Sequence, residues 1–529
     1  MRFIMDMVHH NPGEAPQKTK FLNPHLLKDY GYNGQVFKHL NTAVRFSSLG
    51  DFFPEKEEKE WIDSLNGEVR AQIDAAKKEN MEIFYHIDLF VLPKKLIEKY
   101  KDEICDEDGK ISVRREKTLE LHRIMLDEMF KEYPEVDGLI VRVGETYLHD
   151  TPYHGGNGAI KYGNKEEEIK DFILLLNFLR DEVCEKHGKY LFFRTWDIFS
   201  DRFHSSSEYY LKITDNVKPH EKLLFSIKHT IVDFWRRVRF NPCLTKGKHN
   251  QVIEIQCQRE YEGKGAYPNY IMNGVINSFD DNKEPMGLRD IADNPKIKGI
   301  YTWSRGGGWY GPYIKNEFWC DINVWVIAAY ANDPSKTEKE LFFKYAKEKM
   351  GLSEENAQKF REFCFICSRA LLKGRYIECF DRTLDENSYP CKLWMRDDRI
   401  GGERQLFEVF DYLQENDLLY SALLEKEESV LWWREARKRL DEIDIPDKET
   451  KDYIVTSTDY AAELFNVIYC GFHAMIEKRL SGKRVDEFKA EYYKAWESYK
   501  EVGKRENCAS LYNDVYLNDK GIGDTIENL

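Results

Sequence analysis

A chain of 529 residues is too long for one compact core and is expected to form two domains. Its formal net charge of −14 argues against nucleic acid as a partner, since nucleic-acid binders carry a basic face. The sequence holds no apolar run long enough for a membrane span, so no membrane partner is expected. Aromatic residues make up 14%, including 11 Trp and 31 Tyr, which suits a carbohydrate binder because sugar C–H faces stack on rings. A large aromatic core explains the same number. Among the 11 cysteines only Cys364 and Cys367 are closely spaced, in CFIC, and no second pair follows. They read as buried thiols in a reducing compartment. The N-terminal MRFIMDMVHH also lacks a secretory h-region, so a cytoplasmic location is expected.

Eight β-rich runs follow in order: 2–8 (RFIMDMV), 34–37 (GQVF), 81–92 (MEIFYHIDLFVL), 136–145 (VDGLIVRVGE), 189–197 (KYLFFRTWD), 223–230 (LLFSIKHT), 251–260 (QVIEIQCQRE) and 297–304 (IKGIYTWS). Amphipathic helical stretches separate most of them, such as EKEWIDSLNGEVRAQIDAAKKEN before the third. This alternation predicts an α/β fold, a (β/α)₈ TIM barrel over residues 1–333. An open doubly wound sheet is the rival, but no GxGxxG follows the first strand. After Asn332-Asp333-Pro334 long helical periodicity replaces strand patterns, predicting an all-helical domain over 334–529. Its faces are expected to be solvated or to form a homodimer interface.

Alternate residues of a barrel strand point into the lumen. On the seventh strand Glu254, Gln256, Gln258 and Glu260 share one face and Ile255 and Cys257 the other, so the polar row is expected inside. Burying such a row is costly unless it is hydrogen-bonded, and Glu260 comes last, at the catalytic end. On the fourth strand Leu139, Val141, Val143 and Glu145 share a face. A carboxylate there, above an apolar lumen, is placed to act as a general acid; a structural ion pair is the bland alternative. The fifth strand brings Phe192, Arg194 and Trp196 to the mouth, and Asp233 follows Lys228 of the sixth. Arg194 and Lys228 either balance charge in a polar core or hold a substrate carboxylate. His9, His10, Asn11 and His86 lie near strand ends and line the expected pocket. Neither HxH nor HxxEH spacing occurs, so no metal or other cofactor is expected.

The run Glu254-Ile255-Gln256-Cys257-Gln258-Arg259-Glu260-Tyr261-Glu262-Gly263 resembles the E-L-Q-I-T-Q-E-Y-L-G segment of family 67 glycoside hydrolases, the α-glucuronidases. Lys228 to Phe234 resembles that family's Lys, four residues, Asp-Phe segment. Arg194 and Glu145 fall at matching positions. Trp309-Tyr310-Gly311, then Asn323 and Trp325 before Asp333-Pro334, resemble its W-x-G and N-W signature. There are departures. The family carries an α/β domain before its barrel, and a lysine four residues before the acid, where this chain has Val141 with Arg142 out of phase.

The resemblance implies an inverting hydrolase that cleaves a uronic acid such as glucuronic acid from a plant-type polysaccharide. Glu145 would be the acid, and Asp233 and Glu260 would activate water. Arg194 and Lys228 would hold the sugar carboxylate, and Glu254, His10, His86, Trp196, Trp303 and Trp309 would line the site. One alternative is a retaining barrel glycosidase with Glu145 as acid/base and Glu260 as nucleophile. Another is a non-catalytic carbohydrate-binding barrel.

Overall fold

The computed structural model describes residues 1–9, 18–38, 40–50, 52, 54–199, 201–280, 284–308, 311–380, 403–512 and 522–529, with 403–407 and 524 as backbone only. His10 and Trp309 lie outside the described residues.

Eight parallel strands close into a barrel: β1 (Phe3–Val8), β2 (Gly34–Lys38), β3 (Glu82–Asp88), β4 (Gly138–Arg142), β5 (Tyr190–Arg194), β6 (Leu223–Lys228), β7 (Asn250–Gln256) and β8 (Ile297–Arg305). Each pairs with its predecessor, and β8 returns to β1 with Phe3 opposite Gly299 and Met7 opposite Trp303. A parallel barrel sheet is covered on both faces, which is why the strands are dense in Val, Ile, Leu and Phe. Helices such as Lys56–Lys78 and Glu116–Glu132 lie between strands. The first buries Ile62, Val69, Ile73 and Ala76, with Glu58 the one charged side chain buried beside them.

The lumen is layered. At its floor Phe3, Phe84 and Phe192 meet edge to face with centroids 5.1–6.3 Å apart. Burying each ring stabilises the barrel by about 1.5–3 kcal/mol and plugs the bottom, leaving the top for polar groups. Met5, Val36, Ile140, Leu224 and Val252 also belong to this inner cluster. Ile253, Ile255 and Cys257 of β7 belong instead to the outer core, as the alternation predicts.

On β4 the expected parity is reversed. Leu139, Val141 and Val143 pack outward against the helices, whereas Ile140 is in the lumen cluster and Arg142 follows it in phase. A strand buried on both faces is apolar at every position, so GLIV carries no parity signal; Arg142 alone marks the inner face. β4 ends at Arg142, and Glu145 lies in the turn beyond it.

Beyond Arg305 the described residues contain helices and no strand. The helix Phe318–Asn332 is buried on nearly every side: Tyr30 and Tyr345 both donate to Asp321 at 2.7 Å, and Trp319 donates to Ser457 at 3.0 Å. The helices that follow, among them Glu354–Arg375, Leu419–Asp441 and Lys448–Leu480, share one apolar core with the barrel's outer face. Among the described residues no helix is long and apolar enough to cross a membrane.

Candidate active site

Three carboxylates stand beyond the C-terminal ends of β4, β6 and β7, and a continuous run of contacts joins them. Trp196, two residues past β5, donates its indole N–H to Glu145 Oε2 at 3.0 Å. Lys228, the last residue of β6, sits over the Trp196 ring with Nζ 3.5 Å from its centroid, and donates to Asp233 Oδ1 at 2.6 Å. The next backbone N–H, of Phe234, donates to Glu260 Oε1 at 3.3 Å. Glu145 is partly exposed, and Glu260 is buried at 3% exposure. The residue before Glu145 is Gly144 for a local reason: a Cβ there would lie 2.3 Å from the Trp196 carbonyl oxygen.

Below them lies a layer of fixed ion pairs. Arg194 meets Glu254 edge-on through Nε and Nη2, both at 2.8 Å, and Ser226 adds a third hydrogen bond to Glu254 at 2.8 Å. Both partners of that pair are 1% exposed. Arg142 meets Asp88 in the same way, both bonds 2.6 Å, and the Tyr147 amide caps Asp88 at 3.0 Å. A buried pair with its remaining lone pairs satisfied is rigid, and such pairs fix geometry more reliably than they add stability. Burial and the neighbouring cations Arg142, Arg194 and Lys38 hold His86 well below its ordinary pKa, so it is neutral, with Nε2 3.4 Å from Arg194 Nη1. Of the two sequence readings of Arg194 and Lys228, the structure displays charge balance: each already carries a carboxylate from within the barrel. Trp303 closes the layer from β8. Its ring faces the Arg194 guanidinium at 5.1 Å, and its buried Nε1 has no hydrogen-bond partner.

The β6 and β7 loops are tied to each other and to the helical region. Glu262 accepts from the Arg236 amide at 2.9 Å, from Arg259 Nε at 2.7 Å and from the Tyr376 hydroxyl at 2.5 Å. The β7 loop needs such restraint, because Arg259 and Tyr261, flanking Glu260, adopt left-handed φ of 63° and 66°. Gly307 lies against the same carboxylate; a Cβ there would come 2.7 Å from Glu260 Oε2. Asn323, singled out in the sequence, donates to the Cys257 and Asn269 carbonyls, both at 3.1 Å, and so braces this loop from behind.

The structure thus brings Glu145, Trp196, Arg194, Lys228, Asp233, Glu254, Glu260, His86 and Trp303 to one mouth. Sequence reasoning missed Lys38, Asp88, Arg142 and Glu262. A signal was present: β2 to β6 end in turn on Lys38, Asp88, Arg142, Arg194 and Lys228, charged residues closing five successive apolar strands. Among the described residues no group of three His, Cys, Asp or Glu is arranged to hold a metal ion.

No protein-family model matches the sequence, and no curated protein matches it. Solved structures are similar in fold. One, described as a "GH138 enzyme targeting pectin rhamnogalacturonan II", superposes with a TM-score of 0.55 at 9% identity, over 96% of this chain and 62% of that one. A structure named CpGH84B gives 0.43 at 10% identity, over 100% of this chain and 76% of that one. A family GH115 4-O-methyl-alpha-glucuronidase gives 0.40 at 12% identity, over 83% and 51%. The chain spans less than two thirds of the GH138 structure's length. What is shared is a barrel fold, and its neighbours in fold are glycoside hydrolases.

Proposed function

We propose that the chain is a glycoside hydrolase of α-glucuronidase-like type, cleaving an acidic sugar from an oligo- or polysaccharide with inversion. The observation that carries this reading is the connected set Glu145–Trp196–Lys228–Asp233–Phe234–Glu260, which fixes three carboxylates around one mouth. Glu145, held by a neutral indole donor and reachable from solvent, protonates the leaving oxygen. Asp233 and Glu260 orient and deprotonate the attacking water from the opposite side, with Lys228 holding Asp233 in place. Arg194 and Glu254 form the rigid floor beneath the sugar, and Trp196 and Trp303 offer ring faces and an indole donor. The likeness in fold to a GH138 enzyme that targets pectin rhamnogalacturonan II supports an acidic plant-type polysaccharide as the substrate class.

The test is a panel of neutral and uronic-acid glycosides, with the anomer of the first product followed by NMR. Turnover of the acidic members with inversion is expected. Retention, or trapping of Glu260 by a fluorosugar, would overturn the roles given to Asp233 and Glu260. Binding without turnover, unchanged in Glu145→Gln, would make the chain a carbohydrate-binding barrel.

A further inference from the structure

A recess opens beside the three carboxylates, on the β2–β4 side of the mouth, bounded by Lys38, Asn41, His86, Asp88, Arg142 and Tyr147. Tyr147 is two residues beyond Glu145, so the recess and the acid share one loop. That loop is anchored on its far side, where His154–Gly156 pairs antiparallel with Val91–Pro93 of the β3 loop.

Arg142 enters this recess with most of its hydrogen-bonding capacity intact. The edge-on pair with Asp88 uses Nε and one N–H of Nη2, two of five donors, leaving three, among them both protons of Nη1. The Tyr147 ring lies 4.0 Å from the guanidinium carbon and keeps it planar against the wall. Lys38 reaches in from the end of β2, with Nζ 2.7 Å from His9 Nδ1. Burial, with the Arg142 and Arg194 charges, pushes the Lys38 ammonium down to about 7, against the opposing pull of Asp88 and Asp150. An anion between Lys38 and Arg142 removes that repulsion. Deeper in the lumen Lys228 is taken by Asp233, and Nη1 of Arg194 already lies 3.4 Å from His86 Nε2.

We propose that this recess is the subsite for a substrate carboxylate, seated between Lys38 and the Nη1 edge of Arg142 and not on Arg194 and Lys228. The proposal rests on the reading of this mouth as a glycoside-hydrolase site. The carboxylate belongs either to the sugar being cleaved or to its neighbour, and the chemistry of capture is the same.

The experiment compares wild type, Lys38→Met and Lys38→Arg. Kd for methyl glucuronoside and methyl glucoside is measured by calorimetry, and kcat/KM on an aryl uronoside and on a neutral glycoside linked to a uronic acid neighbour. Losing one charged hydrogen bond, Lys38→Met is expected to reduce the preference for acidic over neutral ligand by about ten- to hundredfold, with Lys38→Arg restoring most of it. A loss on the aryl uronoside assigns the carboxylate to the cleaved sugar; a loss confined to the second substrate assigns it to the neighbour. An unchanged acidic-to-neutral ratio in Lys38→Met, with the melting temperature preserved, overturns the proposal. If wild type turns over none of these glycosides, the hydrolase reading fails. The calorimetric ratio still decides the recess.

Discussion

Removing the Glu262 side chain tests whether the loops bearing Asp233 and Glu260 are held as one unit. Glu262 accepts three hydrogen bonds, from the amide of Arg236 three residues past Asp233, from the guanidinium of Arg259 next to Glu260, and from the Tyr376 hydroxyl. In Glu262→Ala the Arg259 charge loses its carboxylate, and its Nη1 and Nη2 are already buried without a partner. Breaking a buried pair from one side costs about 3–5 kcal/mol. The left-handed Arg259 and Tyr261 then lose the restraint that keeps them there, at a stored cost of order 1–3 kcal/mol each. Glu262→Gln keeps the shape and an acceptor oxygen, so about 1–2 kcal/mol is expected from the lost charge reinforcement. Thermal or urea unfolding gives the stability, and kcat on the best acidic glycoside reports on Asp233 and Glu260. Tyr376→Phe isolates the contribution of the helical region: a loss of about 1 kcal/mol, with kcat lowered and KM little changed. If Glu262→Ala unfolds within about 1 kcal/mol of wild type and keeps its kcat, Glu262 does not hold these loops together.

Three further outcomes follow from other parts of the mouth and barrel. Glu145→Gln should lower kcat by about 10²–10⁴-fold while leaving the melting temperature in place, and a glycoside with a very acidic phenol leaving group should recover most of the rate; equal losses on good and poor leaving groups would remove Glu145 from the acid role. Gly144→Ala puts a Cβ 2.3 Å from the Trp196 carbonyl oxygen and 2.9 Å from Asp197 Cα, so it should cost about 1–3 kcal/mol of overpacking and lower kcat by shifting Glu145 off Trp196; a wild-type melt with wild-type kcat would contradict this. Asp6, buried between β1 and β8, has its carboxyl pushed up to about 7 by burial, despite hydrogen bonds from Thr302 and Ser304. A folded pKa above the unfolded one means the stability is fully present below the ordinary carboxylate range, about pH 4, and is lost as pH rises through 7. The melting temperature of wild type relative to Asp6→Asn should therefore fall between pH 4 and 7, and a difference that stays flat across that window would show that Asp6 does not titrate there.

The barrel was legible because its signal is local. Each strand is a short apolar run between amphipathic helices, and all eight runs correspond to barrel strands. Side-chain direction was legible where polar residues set the phase, by alternation on β7 and by Arg194 alone on β5. On β7 Glu254 and Gln256 against Ile253 and Ile255 give the phase, and Glu254 does enter the lumen to meet Arg194. On β4 four apolar residues in a row conceal it, and the one polar residue, Arg142, was the informative one. Its partner Asp88 is 54 residues away, so the pair that explains it leaves no mark in either segment.

The least legible feature is what the helical region does for the site. Its periodicity announces helices with solvated charged faces, which is correct for much of their surface. Periodicity says nothing about which of their residues reach the barrel mouth. Tyr376 meets Glu262 across 114 residues of chain, Arg375 meets the Tyr267 hydroxyl across 108, and Tyr453 donates to the Gly265 carbonyl across 188. All three land on residues 262–267, the stretch just past Glu260. A barrel strand fixes its own side chains through the sheet ladder, but a residue past the last ladder bond has no such support. Glu260 is in that position, since β7 ends at Gln256. Its placement then depends on what packs behind the loop, and in this chain that is the helical region. It follows that substitutions at Tyr376, Arg375 or Tyr453 should lower turnover without touching any group that meets the sugar, which a barrel merely followed by an independent helical unit would not show.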